Sequence, residues 1–226
     1  MYAFLTGPML WISLAIFFAG IIVKTILYIK GLDTTLDRVT YRVNTMYGIR
    51  GAIRSIFYWL FPFATHSWRT QPGITVLFFV FHTGIILTPL FLKAHQMILK
   101  ESFGIYWFSM PDAAADLATI AVLISGLFLL LRRISLPEVR LISKAADYLV
   151  WLIAVTPFWT GILAYHQIGD YSFWLNFHIL SGEIMLIAVP LTKLSHSFLF
   201  FLSRAQIGFD YGIKRGGMKT KKGMAW

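Results

Sequence analysis

Five predominantly apolar stretches, at residues 7–29, 74–92, 113–131, 145–165 and 177–201, constrain this chain more than any other feature. A helix of about 20 apolar residues crosses the roughly 30 Å hydrocarbon core of a bilayer, and each stretch approaches or exceeds that length. Strands of a membrane barrel show short alternating patterns instead, so runs of this kind predict helices. Only 13% of the residues are charged against 58% hydrophobic, a balance foreign to soluble domains. The expected fold is all-α: an integral membrane bundle of five transmembrane helices forming one domain over 1–202, with a basic tail at 203–226. The first stretch lacks a basic flank and a small-residue cleavage site and is too long for a signal h-region, so it reads as a helix.

The placement of charge predicts the topology. Lys30, Arg38, Arg42, Arg50, Arg54 and Arg69 lie between the first two stretches, and Arg132, Arg133, Arg140 and Lys144 between the third and fourth. Arg204, Lys214, Arg215, Lys219, Lys221 and Lys222 follow the fifth. The positive-inside rule makes these regions cytoplasmic, with the amino terminus outside and the carboxyl terminus inside. A net charge of +10 spread over separate loops of a lipid-embedded chain points to topology rather than to nucleic acid. The long connection at 30–73 contains, at 41–63, an amphipathic pattern ending at Pro62. It reads as a helix lying in the cytoplasmic interface, a surface anchor or a platform for a cytoplasmic redox subunit. Tyr106, Trp107, Phe108, Tyr171 and Trp174 suit the headgroup level on the other side.

The chain has no cysteine, which excludes disulfides, c-type haem attachment and iron–sulfur ligation within it. Its histidines are better placed. His178 and His196 stand 18 residues apart in one apolar run, five whole turns of an uninterrupted helix, which puts both on one face about 27 Å apart. His82 lies inside the second stretch and His95 just beyond it. If those two helices run antiparallel, His95 is level with His178 and His82 with His196. Two stacked bis-histidine sites for haem b follow, an inner one on His82 and His196 and an outer one on His95 and His178. Two axial imidazoles leave iron no open position, so the metal only changes oxidation state and electrons pass across the bilayer.

Phase complicates the outer site. The 13 residues from His82 to His95 span about 3.6 turns, which turns the two rings roughly 140° apart on a straight helix. Pro89 lies between them, and a kink or local unwinding there can bring His95 round. Without it, His166 is the substitute outer ligand. Lys193, three residues before His196, either pairs with a haem propionate or snorkels to the headgroups. Glu183 lies deep enough that its carboxyl must be neutral or paired; a structural hydrogen bond is the first reading and proton transfer for quinone chemistry the second. Gly84 and Gly182 leave room for either a macrocycle or a packed helix. His66 reads as a solvated interfacial residue.

Phe81, His82, Thr83, Gly84 and Ile85, together with His178 and the run Pro190, Leu191, Thr192, Lys193 to His196, resemble the gamma subunit of respiratory nitrate reductase, a five-helix dihaem cytochrome b. The stretch from Thr88 to His95, with Asp170, Tyr171 and the segment from Phe209 through Lys214, Arg215 and Gly216, is more similar to cytochrome b-like subunits of the Hmc and Tmc transmembrane redox complexes of sulfate-reducing bacteria. This resemblance implies the bacterial inner membrane and a set of partners: a periplasmic multihaem cytochrome c, further integral membrane subunits and cytoplasmic iron–sulfur proteins. Menaquinone is a candidate exchange partner. The alternatives are a nitrate reductase gamma-type quinol oxidase subunit and a haem-free membrane anchor. A transporter is disfavoured because no inverted repeat is visible.

Overall fold

The computed structural model describes residues 1–32 and 45–216. Asp33, Asp37, Arg38 and Arg42, the start of the stretch at 41–63, and Lys219, Lys221 and Lys222 lie outside the described residues. All regular structure among the described residues is helical. Five helices are long and apolar enough to cross a membrane: α1 (Tyr2–Lys30), α3 (Pro72–Phe91), α5 (Asp112–Ser135), α6 (Ala145–Tyr165) and α7 (Tyr171–Leu191). The remaining longer helices are α2 (Thr45–Leu60), α4 (Lys93–Phe103) and α8 (His196–Gly216). Large apolar side chains such as Trp11, Phe18, Ile86, Leu117, Leu149 and Phe173 are exposed along the five long helices. That much outward-facing apolar surface is the character of a multi-pass membrane protein, whose solvent is lipid.

The chain forms two compact units, Met1–Ile16 with Val76–Ala188 and Phe17–Thr75 with Val189–Trp226. In the first, Phe81 of α3, Val122 of α5, and Val155 and Phe158 of α6 form the core. Glycines let these helices meet. A Cβ at Gly84 would overlap Val122, and one at Gly126 would lie 2.9 Å from the Phe81 ring. Gly84 therefore serves helix packing, while nothing lies within 4 Å of a Cβ built on Gly182. The Trp151 indole N–H donates to the Gly126 carbonyl at 3.0 Å, tying α6 to α5.

Two helix ends set the geometry of the site. Helix α3 runs through Pro89 and stops at Phe91, because Leu92 is extended (φ −66°, ψ 130°), and α4 restarts at Lys93. The break orphans the last carbonyls of α3, and each finds a donor. Pro89 O accepts from the His95 ring at 2.9 Å, Leu90 O from the Gln96 amide and the Trp107 indole, and Phe91 O from the Met110 N–H at 2.9 Å. Gln96 is fully buried there. Helix α4 ends in Gly104, whose φ of 68° is the left-handed conformation that glycine adopts without strain.

In the second unit α2 crosses α8 at backbone contact. A Cβ on Gly51 would overlap the Gly208 carbonyl, one on Gly208 the Gly51 carbonyl, and one on Gly212 the Tyr47 carbonyl. Small residues at such spacing let helix backbones touch. Arg204 of α8 lies over the Trp59 ring of α2 at 4.5 Å, and the Tyr28 hydroxyl donates to Gln206 Oε1 at 2.6 Å. The helix expected in the 41–63 stretch is thus present as α2, and residues 203–216 of the expected tail are helical as part of α8.

The fifth stretch differs from its expectation. Instead of one helix over 177–201, α7 begins at Tyr171 and ends at Leu191, and α8 begins at His196. Pro190 has no N–H to continue the ladder, Thr192 is extended (φ −118°, ψ −168°), and its hydroxyl accepts from the Leu194 N–H at 3.2 Å to start a short 3₁₀ turn. The five-turn arithmetic linking His178 to His196 does not survive this break.

Candidate functional site

His95 of α4 and His178 of α7 face each other with ring centroids 6.0 Å apart and planes inclined by 14°. Each ring is held from behind. His95 Nδ1–H donates to Pro89 O at 2.9 Å and His178 Nδ1–H to Pro157 O at 2.9 Å. A nitrogen facing a carbonyl must carry the proton, so on both rings Nε2 holds the lone pair. This is the second-shell arrangement typical of metal-ligating histidine: one nitrogen anchored on a backbone oxygen, the other aimed at the metal.

Helix α6 builds the seat for His178. A Cβ on Gly161 would stand 2.9 Å from the ring's Cε1 and 3.1 Å from Nδ1, so only glycine lets the imidazole reach the carbonyl one turn earlier. Thr160, fully buried, has its hydroxyl 3.4 Å from Nδ1 and 3.4 Å from the Ser181 hydroxyl. Pro157, Thr160 and Gly161 escaped the sequence reading. The available signal was a proline and a glycine four residues apart inside an apolar stretch, opposite a histidine on the next one.

His82 and His196 repeat the anchoring pattern. His82 Nδ1–H donates to Phe78 O at 2.8 Å, and His196 Nδ1–H to Lys193 O at 2.7 Å. His82 belongs to the first unit and His196 to the second. His166 is differently placed: its Nε2 lies 3.1 Å from Asp116 Oδ1 in an exposed pair. The histidine brought to His178 is His95, not His166. His66 is exposed at the start of the short helix His66–Thr70, and Lys193 is exposed in the 3₁₀ turn.

The donor set restricts which metal centre can fit. Among the described residues, no three His, Cys, Asp or Glu side chains converge as a zinc or copper site would require. Two imidazoles suffice only where a macrocycle fills the remaining positions. Imidazole–metal bonds of about 2 Å, plus the two ring radii, place such centroids about 6 Å apart, and the two near-parallel rings have that separation. The residues present fit a bis-histidine haem.

No family model matches the sequence, and no solved structure matches it. A curated protein of Nitratidesulfovibrio vulgaris (strain Hildenborough) is 49% identical over 226 residues, with all of both chains covered. Its name, "Protein", states no activity. End-to-end identity at that level shows common descent, and the chain belongs to one family with this Nitratidesulfovibrio vulgaris protein.

Proposed function

We propose that this chain is the dihaem b-type cytochrome subunit of a membrane-bound respiratory redox complex. One observation carries the reading: His95 and His178 oppose each other at 6.0 Å, each with Nδ1–H fixed on a carbonyl. When bound, haem supplies one-electron chemistry. His95 and His178 would hold it through their Nε2 nitrogens, and two such ligands would leave oxygen and substrate no open position. Pro89 O and Pro157 O hold the ligand tautomers. A second haem, on His82 and His196 with Lys193 toward a propionate, completes the proposal from the shared anchoring of Nδ1 on a backbone carbonyl.

The proposed route runs across the bacterial cytoplasmic membrane, with the amino terminus outside and the carboxyl terminus inside. It links a periplasmic multihaem cytochrome c to cytoplasmic iron–sulfur subunits, beside other integral membrane subunits and with menaquinone as a candidate exchange partner. The test is haem counting by dithionite-reduced spectra on the purified chain. The expected result is two b-type haems in the wild type, one in His95→Ala and in His178→Ala, and two in His166→Ala. A wild-type chain without haem returns the protein to the reading of a docking anchor, for which the α2–α8 pair is the natural platform.

A further inference from the structure

Glu183 stands on α7 five residues beyond His178, about 7.5 Å further along the axis and turned by about 140° around it. It is 2% exposed, and neither carboxyl oxygen has a hydrogen-bond partner. A structural hydrogen bond, the first expectation for this residue, is therefore not what holds it. Among the described residues of its own unit no cation pairs with it either. The lysines and arginines of its unit, Lys93, Lys100, Arg132, Arg133, Arg140 and Lys144, lie at helix ends or in connections. Helix α6, packed against α7, carries Asp147, Tyr148 and Tyr165 near its two ends, and α4 brings His95, Lys93, Lys100 and Glu101. Asp116 and His166 pair with each other. From α1 the unit contains Met1–Ile16, where Tyr2 is the one titratable side chain.

An ionised carboxylate in such surroundings needs a counter-charge, and a neutral carboxyl does not. On the haem reading the ligand pair that includes His178 of the same helix would hold a centre whose charge changes by one unit, felt across the helix through a low-dielectric interior: a bis-imidazole iron porphyrin is positive when oxidised and neutral when reduced, its propionates aside. We propose that Glu183 is a redox-linked proton site, a carboxylate while the haem is oxidised and a carboxylic acid while it is reduced. One proton from water joins a carboxyl oxygen as one electron arrives from a redox protein of the haem or iron–sulfur class, and both leave on oxidation. No other bond forms or breaks. The chain thereby couples electron transfer to proton uptake without a substrate of its own. Raising the pH favours the carboxylate, hence the oxidised haem, so the reduction potential falls as pH rises.

The experiment is mediated potentiometry of the full-length haem-loaded chain from mildly acid to mildly alkaline pH, with dithionite as reductant. In the wild type, a tenfold change in proton concentration moves one haem's equilibrium by up to tenfold, about 59 mV for a one-electron couple. In Glu183→Gln that slope disappears while two haems remain bound. A slope unchanged in Glu183→Gln belongs to the haem propionates and overturns the proposal. Should that variant fail to accumulate, redox-difference infrared spectra of wild-type chain with isotope-labelled glutamate decide. A protonated-carboxyl band that appears on reduction supports the proposal, and its absence overturns it. Failure of the parent reading is distinguishable, because a chain without haem is recognised in its spectrum before any titration, and the inference then falls with it.

Discussion

The imidazole of His178 is positioned by three neighbours on α6, and the most exacting of them is the one without a side chain. Gly161→Ala places a methyl 2.9 Å from Cε1, where the ring cannot remain on Pro157 O. Losing a second-shell hydrogen bond typically lowers metal affinity by about 10–100-fold. On the proposed haem reading, the expected outcome is selective loss or altered electron paramagnetic resonance of the outer haem, with the second haem unchanged. Identical haem content and signals in this variant would remove Gly161 from the ligand seat. Histidine identity was legible in the sequence because ionisable groups are rare in apolar runs. The seat was not legible, because a proline and a glycine in a transmembrane stretch carry the same local signal whether they bend a helix, pack against a neighbour or expose a carbonyl.

The break at Leu92 decides which histidine meets His178. A straight continuation of α3 would turn His95 away from the bundle position of His82, and Pro89 drew attention as the place to kink. The helix passes Pro89 and stops two residues later, at Phe91, where the freed carbonyls are claimed by His95, Gln96, Trp107 and Met110. Gln96→Ala removes a buried donor to Leu90 O and leaves Trp107 N–H without its acceptor on Gln96. An unsatisfied buried group costs about 1–3 kcal/mol. Amide hydrogen exchange across Lys93–Phe103 should accelerate, and outer-haem occupancy should drop ahead of the inner. Unaltered exchange would mean that the turn is held by other contacts. The break at Thr192 has a more local origin, a proline and a short hydroxyl side chain inside an apolar window that hydropathy averages over.

The two compact units carry separable predictions. In the second, α2 and α8 touch backbone to backbone at Gly51 and Gly208, where neither partner can yield by rotating a side chain. Overpacking a well-fitted contact costs typically about 1–3 kcal/mol, and more where main chain must move. Gly51→Leu or Gly208→Leu should make Thr45–Leu60 sensitive to protease while the haem proposed on His95 and His178 stays spectroscopically intact. Loss of that haem as well would show that the first unit depends on the α2–α8 contact.

Run length and apolarity are local properties, so they suffice to commit this chain to helices in lipid; the fourth stretch is observed at the expected 145–165. Helix ends are not local in that sense. Those at Leu92 and Leu191 depend on which distant donors reach orphaned carbonyls and on how a proline and a threonine are satisfied. A helix end one turn earlier or later rotates and displaces everything beyond it. For that reason the histidines of the apolar runs, and His95 as the expected partner of His178, could be read from the amino acids, while the turn that brings His95 round, the Gly161 seat and the glycine contacts between segments more than 150 residues apart emerged only when the chain was folded.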